Sequence, residues 1–206
     1  MSGPVLHELK RHAPFTVFGA FTGILVMALF HNLPYKIAYN VFYTLHPMHV
    51  VLSALVTASM YKNYKGTSGS KGGNLAMLLA VGFIGSIGIA TLSDSVMPYL
   101  GEVLLRMPHA EPHIGFIEHW QLVVPLAGVG IAIAYFRPTT KFPHAGHVLI
   151  STWASLFHII MAAGKSLGLF FYAAIFLFLF LAVWVPCCIS DIVFPLLFVG
   201  KKHNPH

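Results

Sequence analysis

The sequence predicts an all-α integral membrane protein of six transmembrane helices, built as two three-helix repeats of inverted topology. Three observations lead there. Hydrophobic residues make up 57% of the chain and charged residues 9%, whereas a soluble domain carries roughly 25% charged residues; a chain this apolar belongs in lipid. The apolar residues gather into six stretches, each approaching the ~20 residues needed to cross a bilayer core. A polar signature is also written twice, once in each half of the chain.

Residues 1–13 are polar and basic, with Lys10 and Arg11. The first span, about 14–30, has no small-residue cleavage site behind it and reads as an uncleaved helix. Its Gly19 and Gly23 suit close helix packing. A second span covers about 41–61, and the Lys-, Gly- and Ser-rich stretch 61–73 reads as a flexible loop. The third span, about 74–97, offers a small face of Gly82, Gly85 and Gly88. These small-residue faces permit self-association as a homo-oligomer. A longer loop follows over 98–118, with a short interfacial helix expected at 101–107. The remaining spans are expected at about 119–136, 147–163 and 167–189. No two-residue alternation of the membrane β-barrel kind is present. Residues 1–206 read as a single membrane domain.

Basic residues set the expected orientation. Six spans put both termini on one side, together with the 61–73 and 137–143 loops. That side carries Lys10, Arg11, Lys62, Lys65, Lys71, Arg137, Lys141, Lys201 and Lys202, against Lys36, Arg106 and Lys165 on the other. Cationic residues favour the cytoplasmic side, so both termini are expected there, in a multi-pass protein of the cell membrane. The positive charge thus reads as a topology signal. No basic stripe interleaved with aromatics points to nucleic acid.

The repeated signature begins at Leu45-His46-Pro47-Met48-His49-Val50-Val51-Leu52-Ser53. It returns 98 positions later (46 to 144) as Pro143-His144-Ala145-Gly146-His147-Val148-Leu149-Ile150-Ser151. Each copy is followed by a second match. Ser93-Asp94-Ser95-Val96-Met97-Pro98-Tyr99-Leu100 corresponds to Ser190-Asp191-Ile192-Val193-Phe194-Pro195-Leu196-Leu197, 97 positions on (94 to 191). Two matches at nearly one offset mark a duplication, with repeat one over about 14–100 and repeat two over about 119–197. Three helices per unit make the second unit enter from the opposite face, as in many secondary transporters.

The residue types propose the chemistry. Histidines three apart share a helix face, and an Asp from the next helix completes a set of two imidazoles and a carboxylate. Such a set suits Zn, Fe, Ni, Co or Mn, and not the all-oxygen preference of Mg or Ca. The candidate ligands are therefore His46, His49 and Asp94 in one half and His144, His147 and Asp191 in the other. His46 and His49 are expected to open helix two where Asp94 closes helix three. His144 and His147 open helix five where Asp191 closes helix six. These are two half-sites at opposite faces, or one shared site if the helices break at Pro47, Pro98, Pro143, Pro186 and Pro195 and dip inward. Ser53, Ser93, Ser151 and Ser190 read as packing or back-bonding residues before any supporting role.

Further donors could join as accessory ligands. On the expected outer side His31, His109, Glu111, His113, Glu118 and His119 make an imidazole-rich, acidic vestibule that would attract a cation. Glu102 counts there too, as an external acid. His158 either lines a path between the faces or joins the outer cluster. Cys187 and Cys188 lie on the inner side; adjacent cysteines argue against an ordinary structural disulfide. As thiolates they favour Zn or Cu(I), although an apolar helix more often packs its cysteines.

The reading that gathers most of these residues is transport of a divalent transition-metal cation, zinc or iron, across a lipid bilayer. Imidazoles also suit proton coupling, because metal must displace their protons. A membrane metalloenzyme and a single-haem b-type electron carrier are the alternatives. The boxes of di-iron desaturases need an adjacent His pair, which this chain lacks. A haem could take His49 with His158 or His119 as axial ligands. No phosphate-loop or dinucleotide fingerprint is present.

Overall fold

A computed structural model describes residues 2–30, 33–67, 74–163, 168–188 and 194–198, and every regular element among them is helical. The elements are α1 (Ser2–Leu29), α2 (Tyr35–Thr67), α3 (Leu75–Thr91), a π-turn (Leu92–Val96), α4 (Met97–Leu104), α5 (Gly115–Glu118), α6 (Trp120–Phe136), α7 (Lys141–Ala162), α8 (Leu169–Cys188) and α9 (Phe194–Leu197). Four runs are long and apolar enough to cross a membrane: Tyr35–Lys65, Leu75–Leu104, Ala145–Ala162 and Leu169–Cys187. Ala13–Leu29 and Trp120–Phe136 are apolar but shorter, at 17 residues each.

Helix ends depart from the sequence expectation in a way that moves the chemistry. α2 starts at Tyr35, so His46 and His49 lie well inside it instead of opening it. α7 starts at Lys141, which places His147 in its second turn. Asp94 does not close a helix. Asn74 caps α3, its side chain accepting from Ala76 N–H at 3.0 Å, and the helical run continues to Leu104 through the π-turn.

Pro98 explains that turn. Proline has no N–H for the carbonyl four residues back, and its ring crowds that carbonyl, which here belongs to Asp94. The chain answers by widening: Met97 N–H bonds Leu92 O, five residues back, and the helix resumes. The expected break is therefore a bulge.

α2 and α7 run against each other through the centre. α6 and α3 flank α2, while α1 and α8 flank α7; α1 also meets α8, and α3 meets α6. Close approach at two places needs the absence of a side chain. A Cβ on Gly130 of α6 would run into the Val51 carbonyl of α2, and one on Gly19 of α1 would lie 2.9 Å from Thr152 Oγ1 of α7. One apolar cluster joins α1, α7, α8 and the start of α2; another joins α3, α6 and the rest of α2.

Between the clusters runs a polar seam. His46, His49, Ser53, Ser93, Asp94, Glu102, His147, Ser151, Ser155 and His158 are all buried. Large apolar side chains cover the outside instead, such as Phe18, Phe21 and Leu29 on α1 and Leu169, Phe170 and Leu177 on α8. Polar groups inside and apolar ones outside suit a protein whose surroundings are hydrocarbon.

Candidate functional site

Asp94 is the hub of the seam. The π-turn presents its carboxylate to α2 and α7 at once. His46 Nδ1 and His49 Nδ1 donate to Oδ2 at 3.0 and 2.7 Å. Ser93 Oγ and Ser151 Oγ donate to Oδ1, each at 2.7 Å. Four donors on one fully buried carboxylate match what an ionised, acceptor-only group demands. Ser155 Oγ adds a tie from α7, lying 3.0 Å from the Ser93 carbonyl and 2.8 Å from that of Ser151. Ser93 and Ser151 thus do more than pack, contrary to the sequence expectation. Ser53, buried on α2, makes no hydrogen bond through Oγ among the described residues.

These bonds fix which nitrogen each imidazole has left. With Nδ1–H given to Asp94, a neutral His46 or His49 keeps its lone pair on Nε2. Among the described residues neither Nε2 has a hydrogen-bond partner, although both are buried. His46 stacks on Phe42, with ring centres 5.6 Å apart, and its edge lies so close to Gly115 that any side chain there would displace it. His49 turns the other way. It stacks on His147 at 5.7 Å with the rings 5° from parallel.

The two copies of the signature therefore meet in the interior. His49, His147 and Cys187 bring one ligand-capable atom each within 4.8 Å of one another, and all three residues are buried. Two imidazoles and a thiol so arranged can hold a metal ion. Cys187 comes from the end of α8, just after Pro186. Of the ligands expected in the second half, His144 and Asp191 lie outside the described side chains, as do His31 and Cys188.

A second polar centre sits along the same helices. His158 Nδ1 and Glu102 Oε1 are 2.6 Å apart, both side chains fully buried. The sequence alone puts Glu102 outside, in the short interfacial helix of the 98–118 loop; α4 instead continues the helical run and buries it. His158 leads to His113, whose ring centre is 5.6 Å away. His113 in turn meets the Tyr35 hydroxyl at 3.1 Å through Nε2 and Glu118 at 3.5 Å through Nδ1. Glu111 stands 3.8 Å from His113 Nε2. His119 lies 3.4 Å from the Tyr39 hydroxyl and packs on the Tyr43 ring at 4.4 Å. His109 is exposed; its backbone N–H bonds the Ala162 carbonyl at the end of α7. The three tyrosines, four apart along α2, escaped sequence reasoning, although that spacing puts them on one face.

No protein-family model matches the chain, nor does any curated protein or solved structure. Fold and site together describe a helical protein suited to a membrane, with imidazole, carboxylate and thiol groups buried in its core.

Proposed function

We propose that this chain moves a divalent transition-metal cation across the cell membrane, with His49, His147 and Cys187 as the central binding position. The observation that carries the reading is the convergence of these three buried donors at the meeting point of two repeated motifs. Two nitrogens and a thiolate favour zinc over iron. Three protein ligands leave a coordination position open, which an ion in transit requires. Asp94 then acts by aiming the imidazole of His49, in place of the ligand role its spacing proposed; carboxylates commonly hold metal-binding histidines this way.

Inverted repeats are part of the proposal. His49 and His147 are corresponding residues, 98 apart (49 to 147), and their facing rings are what a two-fold axis between α2 and α7 would produce. Gly130 meets Ala54 and Gly19 meets Thr152, again with Ala54 and Thr152 98 apart (54 to 152). Helix neighbours correspond likewise: α6 on α2 with α1 on α7, and α3 on α6 with α8 on α1. Six spans with cytoplasmic termini follow from this arrangement and the lysine distribution. The vestibule of His113, Glu111, Glu118 and His119 then faces outward.

The other histidines named for the haem alternative have neighbours of their own. His158 is held by Glu102 and Phe42, and His119 by Tyr39 and Tyr43. An enzyme with the same metal site is the second reading, favoured by the open coordination position. Elemental analysis and flux decide between them. Tag-free protein is expected to bind stoichiometric zinc, lost in His49→Ala, and to move zinc in proteoliposomes. Bound zinc without flux would favour the enzyme; a Soret band would favour haem.

A further inference from the structure

Glu102 and His158 form a buried pair with no part in the metal position. His158 lies eleven residues beyond His147 on α7, roughly 16 Å at 1.5 Å per residue. With Nδ1 given to Glu102, its Nε2 is left buried with no hydrogen-bond partner among the described residues, and Glu102 Oε2 is left likewise. Among the described residues, three elements have contacts at the pair. α2 contributes Phe42, whose ring meets that of His158 edge-on at 5.3 Å. α8 contributes Phe178, against Gly101 beside Glu102. The stretch before α5 contributes His113, the one titratable group with a described contact to the pair.

His113 connects outward. It is 9% exposed and is flanked by Glu111, itself well exposed, and by Glu118. Inward, the Phe42 ring meets both His158 and His46. Ionisable groups sealed in an apolar interior are costly, and in membrane proteins they mark ion pathways, proton relays and similar functional positions.

We propose that the Glu102–His158 pair is a proton-binding site, loaded from the side on which His113 stands, and that its proton is the ion coupled to metal movement. The proton adds to His158 Nε2, converting imidazole to imidazolium, while Nδ1–H remains on Glu102 and the carboxylate supplies the counter-charge. It leaves from the same nitrogen toward the side on which His113 stands, ring centres 5.6 Å apart, and passes to water there. Only N–H bonds form and break, and no electrons move.

Coupling follows from shared helices. Two clasps join the α3–α4 rod to α7: Asp94 to Ser151, and Glu102 to His158. Ser151 and His158 are seven residues apart on α7, Asp94 and Glu102 eight apart on the rod. The extra residue of the π-turn makes up the difference, so both clasps share one interface. A change of charge at one clasp bears on the seat of the other. This second half of the proposal rests on the transport reading; the proton site itself does not.

Two measurements separate the halves. In liposomes holding zinc- and pH-sensitive dyes, the wild type is expected to move protons with zinc and to run faster under an imposed pH gradient. Glu102→Gln is expected to keep zinc binding and zinc–zinc exchange while losing proton movement and the response to the gradient; Glu102→Asp restores part of both. Proton movement retained in Glu102→Gln overturns the coupling. Infrared pH-difference spectra of the metal-free wild type are expected to show an imidazole signal that His158→Gln removes, and its absence overturns the proton site even if Glu102→Gln fails to fold. The infrared signal without zinc flux in the wild type would sink the transport reading and the coupling, and leave the proton site standing.

Discussion

Replacing Asp94 with Ala is expected to lower zinc affinity by about 100-fold. It also strands the two imidazole donors, His46 and His49, at about 1–3 kcal/mol for each buried group left unsatisfied, whereas Ser93 and Ser151 keep acceptors in Ala90 O and Ser93 Oγ. Asp94→Asn separates the two effects. Its amide NH2 must donate where the carboxylate only accepted. Turned toward Ser93 and Ser151 it is met by rotation of their hydroxyls, and turned toward the imidazoles it makes one that now gives Nδ1–H accept instead. Where that imidazole is His49, its proton moves to Nε2 and occupies the atom meant for the metal. The expected outcome is a protein nearly as stable as wild type but about 10-fold weaker for zinc. Calorimetric titration and thermal unfolding of the two variants measure both quantities. Unchanged zinc affinity in Asp94→Asn would count against the aiming role.

Cys187→Ser carries the second large effect. An alcohol matches the thiol in shape but binds zinc poorly at neutral pH, since the soft, readily ionised sulfur is what favours Zn and Cu(I). Zinc affinity should fall by about 100-fold, at least what loss of an outer partner costs, whereas affinity for Mn should change little because that ion prefers oxygen. Competition between zinc and manganese in a Cys188→Ser background gives the ratio directly. An unaltered ratio would leave Cys187 as an ordinary packing residue.

Much of this arrangement was legible in the residues. Low charge and apolar stretches point to a helical chain with helices long and apolar enough to cross a membrane, and the spacing of His46, His49 and Asp94 points to their meeting. The misplacements trace to proline. Pro98 was read as a stop, because sequence alone does not say whether a helix breaks or widens at a missing N–H; widening carried Glu102 into the interior. α2 likewise runs on through Pro47, so its histidines sit deep inside it. The convergence of His49 with His147 was open between two sites and one shared site. Only the packing of α2 along α7 brings the two rings together. Cys187 was similarly undecided, because an apolar helix gives no hint of which neighbour a thiol will face.

Zinc K-edge X-ray absorption on tag-free, zinc-loaded Cys188→Ser protein tests the central site most directly. The account predicts a single sulfur at ~2.3 Å together with imidazole nitrogens at ~2.0–2.1 Å. A coordination sphere of nitrogen and oxygen alone would contradict it.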